Sequence, residues 1–191
     1  MKVLKFTESN IIKALLIFTM SLFGQVSFAE TETYLINPGD VLEISVWNED
    51  ALSREVTVLP DGSIGFPLAG IVPAAGKTLE SVKKELTGKL TEYIAEPVVN
   101  IVVKAAAGNA VYVTGQVKTP GKYVMTEPMH VVQAISLAGG LTPFAAEDDI
   151  IILRKNSTGG ESLRFEYGEL EDGKALDKKY FLKSGDVVIV P

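Results

Sequence analysis

The stretch Asn37-Pro38-Gly39-Asp40-Val41-Leu42-Glu43-Ile44-Ser45-Val46-Trp47 sets a turn directly before a strand. Glycine accepts positive φ at no steric cost, and aspartate can bond its own backbone nearby, so Asn37 to Asp40 reverses the chain. Leu42, Ile44 and Val46 then alternate with Glu43 and Ser45, the period-two pattern of a half-buried strand. A faint echo of this turn and strand lies at the other end of the chain, where Ser184-Gly185-Asp186-Val187-Val188 repeats Pro38-Gly39-Asp40-Val41-Leu42 in residue type.

Moving downstream, Glu55 to Leu59 and Ser63 to Phe66 flank Pro60-Asp61-Gly62, and the pair reads as a hairpin. Thr78 is a suitable N-cap for a helix whose apolar face carries Leu79, Val82, Leu86, Leu90 and Tyr93 at spacings of three and four. Pro97 stops that helix, and the β-branched run Val98 to Val103 reads as a strand that closes a first module near Lys104.

Ala105 to Asn109 is a small-residue connector. Beyond it, Ala110 to Thr114 and Lys122 to Met125 read as strands on either side of Gly115 and Lys118-Thr119-Pro120-Gly121. Val131, Ile135 and Ala138 predict a helix of about ten residues, ended by Gly139-Gly140, where a left-handed C-cap suits glycine. Ile150 to Arg154 and Ser162 to Glu166 bracket a polar tip, and Lys183 to Val190 supplies a last strand. The expected class is α+β, built as two small mixed modules.

Residues 1–29 differ from the rest. Lys2, Lys5 and Lys13 precede the apolar run Ala14 to Phe23 and the small-residue pattern Ser27-Phe28-Ala29, which reads as a secretory signal cleaved between Ala29 and Glu30. An apolar run of about ten residues is too short to cross a hydrocarbon core of roughly 30 Å as a helix. Cleavage there removes three lysines and one glutamate, leaving 15 basic and 23 acidic residues and a formal charge of −8, which would repel nucleic acid. The chain has no cysteine, which excludes disulfides, a thiol nucleophile, thiolate zinc sites and a lipid-modified cysteine.

Residues that suggest chemistry have simpler explanations. Gly76-Lys77-Thr78 lies between a strand and a helix as a phosphate loop would, but position 71 is Ile71 rather than glycine, and Pro73 removes a backbone donor. His130 is the only histidine and lacks a nucleophile elbow nearby, so it is expected at the surface. Glu147-Asp148-Asp149 is the densest acidic cluster, yet adjacent residues in an extended chain point to opposite faces rather than to one glycosidic bond. Trp47 could stack on a sugar, although packing in a core or an interface is the commoner use of an aromatic at a strand end. Lys83-Lys84 and Lys178-Lys179 read as wet sides of amphipathic elements, and Asn156-Ser157-Thr158 is a short glycosylation pattern. Neither a cofactor nor a metal is expected.

Taken in order, these motifs resemble the outer-membrane polysaccharide export family, of which the Wza-type translocons are members. Tyr34 to Trp47 is similar to the family's opening, and Val58-Leu59-Pro60-Asp61-Gly62-Ser63-Ile64-Gly65-Phe66 is similar to its hairpin. Val113-Thr114-Gly115-Gln116-Val117-Lys118-Thr119-Pro120-Gly121, Ala138-Gly139-Gly140 and Leu182 to Pro191 resemble the soluble-ligand-binding β-grasp (SLBB) module that follows in that family. The resemblance implies an export domain over 30–104 and a β-grasp domain over 110–191 that includes a closing strand at 182–190. Gly39, Asp40, Pro60, Asp61, Gly62, Gly115, Pro120, Gly121, Gly139, Gly140, Gly185 and Asp186 would be its structural turns.

It further implies a non-enzymatic component of exopolysaccharide or capsule export, forming a homo-oligomeric ring in the periplasm, associated with the outer membrane. The polymer itself and an inner-membrane chain-length co-polymerase would be its partners. Two departures from many family members, the missing lipid-modified cysteine and the missing C-terminal pore helix, lead to the expectation of a separate outer-membrane protein that receives the polymer. The competing expectations are a monomeric periplasmic saccharide-binding module and a polysaccharide-cleaving enzyme.

Overall fold

The computed structural model describes residues 33–156, 159–170 and 178–191. Strand β1 (Val41–Val46) is the centre of a three-stranded antiparallel sheet, between β2 (Arg54–Thr57) and β5 (Val99–Ala105). The register sets Leu42 opposite Val56 and Ile44 opposite Ile101. The alternation read in the sequence therefore drives Leu42, Ile44 and Val46 into one core.

Helix α1 (Leu79–Leu90) covers that face with Val82, Leu86 and Leu90, all fully buried. Thr78 caps it, its Oγ1 accepting from the Ser81 N–H at 3.2 Å. The helix stops sooner than its periodicity suggests. The Thr91 hydroxyl donates back to the Gly88 carbonyl at 2.5 Å, and Ile94, not Tyr93, turns in toward the core. Tyr93 is left exposed.

The expected hairpin around Pro60-Asp61-Gly62 requires correction. The turn forms, with Gly62 at φ +84° and the Asp61 carboxylate accepting from the Ser63 N–H (2.9 Å) and Oγ (2.7 Å). These hydrogen bonds hold the Asp61 carboxyl below its usual range. Its flanking strands nevertheless belong to different sheets: β2 pairs with β1, and β3 (Ser63–Phe66) pairs with β4 (Gly70–Pro73). The Gly62 carbonyl accepts from Ala74 and Ala75 N–H groups at 2.9 and 2.8 Å, tying the turn to the end of β4. Ile64, Phe66 and Val72 thereby reach the core.

The second sheet has five strands in the order β7-β6-β10-β8-β9. They are β6 (Ala110–Gly115), β7 (Gly121–Val124), β8 (Ile150–Asn156), β9 (Gly159–Phe165) and β10 (Val187–Val190). The last strand lies in the middle, parallel to β6 and antiparallel to β8. Helix α2 (Val131–Leu137) packs Val131, Ala134 and Ile135 against Val111, Val113, Ile150, Ile152, Val188 and Val190 to form a second core. Gly139 (φ +81°) and Gly140 (φ +86°) end α2, and the Gly140 N–H reaches the Ile135 carbonyl at 2.9 Å as in a Schellman motif.

His130 is not at the surface. It is buried, caps α2 by accepting from the Val132 N–H at Nδ1, and meets the rings of Phe165, Tyr180 and Phe181 edge to face. Gln133 Oε1 accepts from the His130 N–H at 2.6 Å, completing a capping box.

The echoed turns have the same geometry. Asp40 and Asp186 are both fully buried. The carboxylate of Asp40 accepts from the N–H three residues back, Asn37, at 2.8 Å, and that of Asp186 from Lys183 at 2.8 Å. Gly39 and Gly185 precede them at φ +94° and +85°. Between the two turns lies Gly108: its N–H donates to Asp40 Oδ1 at 2.9 Å, and its carbonyl accepts from Ser184 Oγ at 3.0 Å. Tyr34 Oη donates to Asp40 Oδ2 at 2.5 Å, while Arg154 grips Asp186 with Nε and Nη2 and donates also to the Phe181 carbonyl.

A Cβ on Gly108 would stand 2.2 Å from the Pro38 carbonyl oxygen, a backbone atom with no room to retreat. Gly108→Ala is expected to destabilise by about 3 kcal/mol or more. Gly88→Ala, on an open face of α1 with nothing within 4 Å, should instead stabilise by roughly 0.5–1 kcal/mol. Urea midpoints of the two variants check both signs.

Burial and the Asp40 hydrogen bond push the Tyr34 phenol up to about 12. The folded state therefore favours neutral Tyr34, and this contribution is complete below an unfolded value near 10 and lost as pH rises from there through about 12. Wild type should lose more stability between pH 9 and pH 11.5 than Tyr34→Phe, by denaturant titration at about those two values.

Candidate functional site

Each sheet turns one face to its helix and leaves the other open. On the five-stranded sheet the open face carries Tyr112, Val187 and Leu153 in one row across β6, β10 and β8, with Ile189 and Ile151 in the next row. Tyr112 and Leu153 are exposed, and Val187, Ile189 and Ile151 are half-covered by their neighbours. Lys122, opposite Tyr112, places a positive charge at one flank, while Arg164, opposite Ile151, is ion-paired with Asp149 and Glu166. Where β8, β9 and β10 meet, a groove of about 500 Å³ is lined by Leu153, Val187, Lys155 and Glu161.

The open face of the three-stranded sheet is chemically different. Ser45 stands opposite Asn100, and Glu43 between Val102 and Glu55. Lys104 forms an ion pair with Glu55, which raises the lysine's affinity for its proton. At the end of this face stands Trp47, 74% exposed, over a cleft of about 480 Å³ lined by Ser45, Asn48, Asp50, Ser53, Val98 and Asn100. Trp47 is thus not a core residue.

The turn residues named from sequence serve as architecture. Gly115 (φ +92°) lets the chain pass the Val190 carbonyl, 1.9 Å from where a Cβ would stand. Pro120 leads into β7, which Gly121 begins. Asp40 and Asp186 are the residues whose importance the sequence only hinted at, through the repeated Gly-Asp. Ala29 and Glu30, at the expected cleavage point, lie outside the described residues, as do Ser157 and Thr158 of the glycosylation pattern.

Elsewhere the acidic cluster is occupied with structure: Asp148 Oδ1 accepts from the Gly168 N–H at 3.0 Å, and Asp149 pairs with Arg164 at 2.5 Å. Lys83 lies 3.9 Å from Glu80 on α1, and Lys179 sits 4.7 Å from the Tyr180 ring centroid. No group of three or more His, Cys, Asp or Glu side chains among the described residues could hold a metal ion, and no helix among them is long and apolar enough to cross a membrane.

Comparison with known proteins gives this architecture a context. Residues 29–104 match the family model of polysaccharide biosynthesis/export proteins, and residues 110–166 match that of the SLBB domain. The chain is 28% identical over 186 residues to the EPS I polysaccharide export outer membrane protein EpsA of Ralstonia nicotianae, covering 85% of this chain and 48% of that protein. It is 33% identical over 128 residues to the exopolysaccharide production protein ExoF of Rhizobium meliloti, covering 60% of this chain and 30% of ExoF. It is 29% identical over 160 residues to the polysialic acid transport protein KpsD of Escherichia coli, covering 82% of this chain and 28% of KpsD. The chain thus spans about half the length of the first of these relatives and less of the others. With both models matched in this order, the chain belongs to the polysaccharide biosynthesis/export family, in the form that carries an SLBB domain after the export domain.

Proposed function

We propose that the protein is a periplasmic segment of an exopolysaccharide or capsule export conduit, assembled as a ring of identical copies and performing no covalent chemistry. An export domain over 30–104 and an SLBB domain over 110–191 follow a signal cleaved after Ala29. The polymer arrives from an inner-membrane chain-length co-polymerase and passes to an outer-membrane protein. Membership of the export family, and relatives whose names tie them to polysaccharide export, support the transport role.

The observation that carries the assembly is the open apolar face of the second sheet. Val187 to Val190 and Ile150 to Leu153 are continuous apolar runs, the pattern of strands covered on both sides, yet α2 covers one side only. An uncovered face with Tyr112, Leu153 and Val187 in one row suits a partner surface, and in a homo-oligomer that partner is another copy. Closure about a rotation axis would turn such a contact into a ring.

Two measurements test this. A clean deletion, in a strain without a redundant copy, should abolish surface and secreted polysaccharide, and complementation should restore it. Unchanged polymer would defeat the export reading. Leu153→Asp removes about 2 kcal/mol of apolar burial from an interface and adds the cost of covering a carboxylate, while leaving the fold intact. In-cell cross-linking should show a ladder of oligomers for wild type and a monomer for Leu153→Asp. A wild-type chain that remains monomeric in cells would favour the saccharide-binding module instead.

A further inference from the structure

We propose that the cleft beside Trp47 is a subsite for a pyranose unit of a neutral stretch of polysaccharide, an inference that rests on the export function above and names one place where the polymer touches the protein. The cleft is a product of local backbone geometry. The Trp47 N–H donates to the Val98 carbonyl at 2.9 Å, so the residue is held to the sheet while its indole projects. Asn48 then takes φ +59°, a left-handed conformation that asparagine tolerates, and the Glu49 N–H closes onto the Val46 carbonyl at 3.0 Å. The 3-10 turn Asp50–Leu52, pinned by buried Leu52, brings Asp50 to the cleft. A platform fixed by main-chain bonds loses little freedom when a ligand arrives.

The lining chemistry selects the ligand. Ser45, Asn48, Asp50, Ser53 and Asn100 make no side-chain hydrogen bond or ion pair to the rest of the described residues, so their donors and acceptors are available. Covering them with an apolar protein surface would strand them without partners. A pyranose satisfies both halves of the site: its C–H face lies on the indole, and its equatorial hydroxyls both donate and accept, as the amides of Asn48 and Asn100 and the hydroxyls of Ser45 and Ser53 do. Asp50 is the one charged side chain in the lining, and it is an anion, so a uronate or sialate is disfavoured and a neutral sugar preferred. Five polar groups and one ring in an open cleft give weak binding, which a conduit needs so that the chain can leave.

Trp47 is the only tryptophan, so its emission reports this cleft and nothing else. The mature protein is titrated with hexasaccharides cut from the polysaccharide secreted by the source strain, before and after chemical reduction of their carboxyl groups. The expected result is a saturable change in emission with the reduced, neutral fraction, weakened about tenfold in Asn100→Ala and in Asp50→Ala. Both variants should keep the wild-type circular dichroism spectrum. A flat titration with the neutral fraction, or equal binding of an unreduced acidic fraction, overturns the proposal. So does an emission change that follows protein concentration without sugar, which would place Trp47 between two copies. In cells, Trp47→Ala should lower exported polymer severalfold. Wild-type export by Trp47→Ala, in a strain where the deletion abolishes export, would sink this subsite and leave the transport role standing. Export unaffected by the deletion itself would instead sink the transport role.

Discussion

A buried carboxylate that bonds the backbone N–H three residues behind it, at Asp40 and again at Asp186, sets the turn from which the central strand of each of the two larger sheets starts. Burying such a group costs several kcal/mol unless its lone pairs are filled, so each aspartate holds its donors tightly. Asp40 fills its remaining capacity with Tyr34 Oη and the Gly108 N–H, and Asp186 with Arg154. The connector residue Gly108 is thereby divided between the two turns, its N–H going to Asp40 and its carbonyl to Ser184. Because β1 follows one turn and β10 the other, the central strands of both sheets start beside the same residue. What joins the modules is a shared hydrogen-bonded knot as much as a covalent linker.

Much of this was legible in the sequence, and the reason is periodicity. Leu42, Ile44 and Val46 declare a half-buried strand, and Val82, Leu86 and Leu90 declare one helical face, because burial acts on every second residue or on every third and fourth. Partner choice is less legible. Pro60-Asp61-Gly62 says that the chain reverses, but not that the Gly62 carbonyl will be captured by Ala74 and Ala75, which sends β3 to β4. His130 makes the same point for burial, since the rings enclosing it come from Phe165, Tyr180 and Phe181, far along the chain. The repeated Gly-Asp was visible as composition, while its meaning lay in three-dimensional proximity.

The placement of β10 also bears on where the second module ends. The match to the SLBB model stops at residue 166, yet the strand between β6 and β8 is Val187–Val190. Without it, Val113 would lose Val188 and Ile152 would lose the same neighbour from the other side, and the core against α2 would open. The five-stranded sheet that holds the SLBB match therefore continues beyond the matched residues, to the strand that the echoed turn launches.

The two open faces then acquire a relation neither has alone. One is apolar, around Tyr112, Leu153 and Val187; the other is polar, with an aromatic at its end. The knot at Gly108 fixes them within one unit, so copies joined through the apolar face by a closing rotation would each hold the polar face at the same height and angle. A regular circle of weak sugar contacts is what a conduit needs. In the proposed ring each contact would be individually easy to leave, and together they would keep a sliding chain from diffusing away. In the proposed ring the two buried aspartates would serve transport by holding the connector, because a flexible connector would scatter the polar faces and remove the regularity on which such multivalence depends.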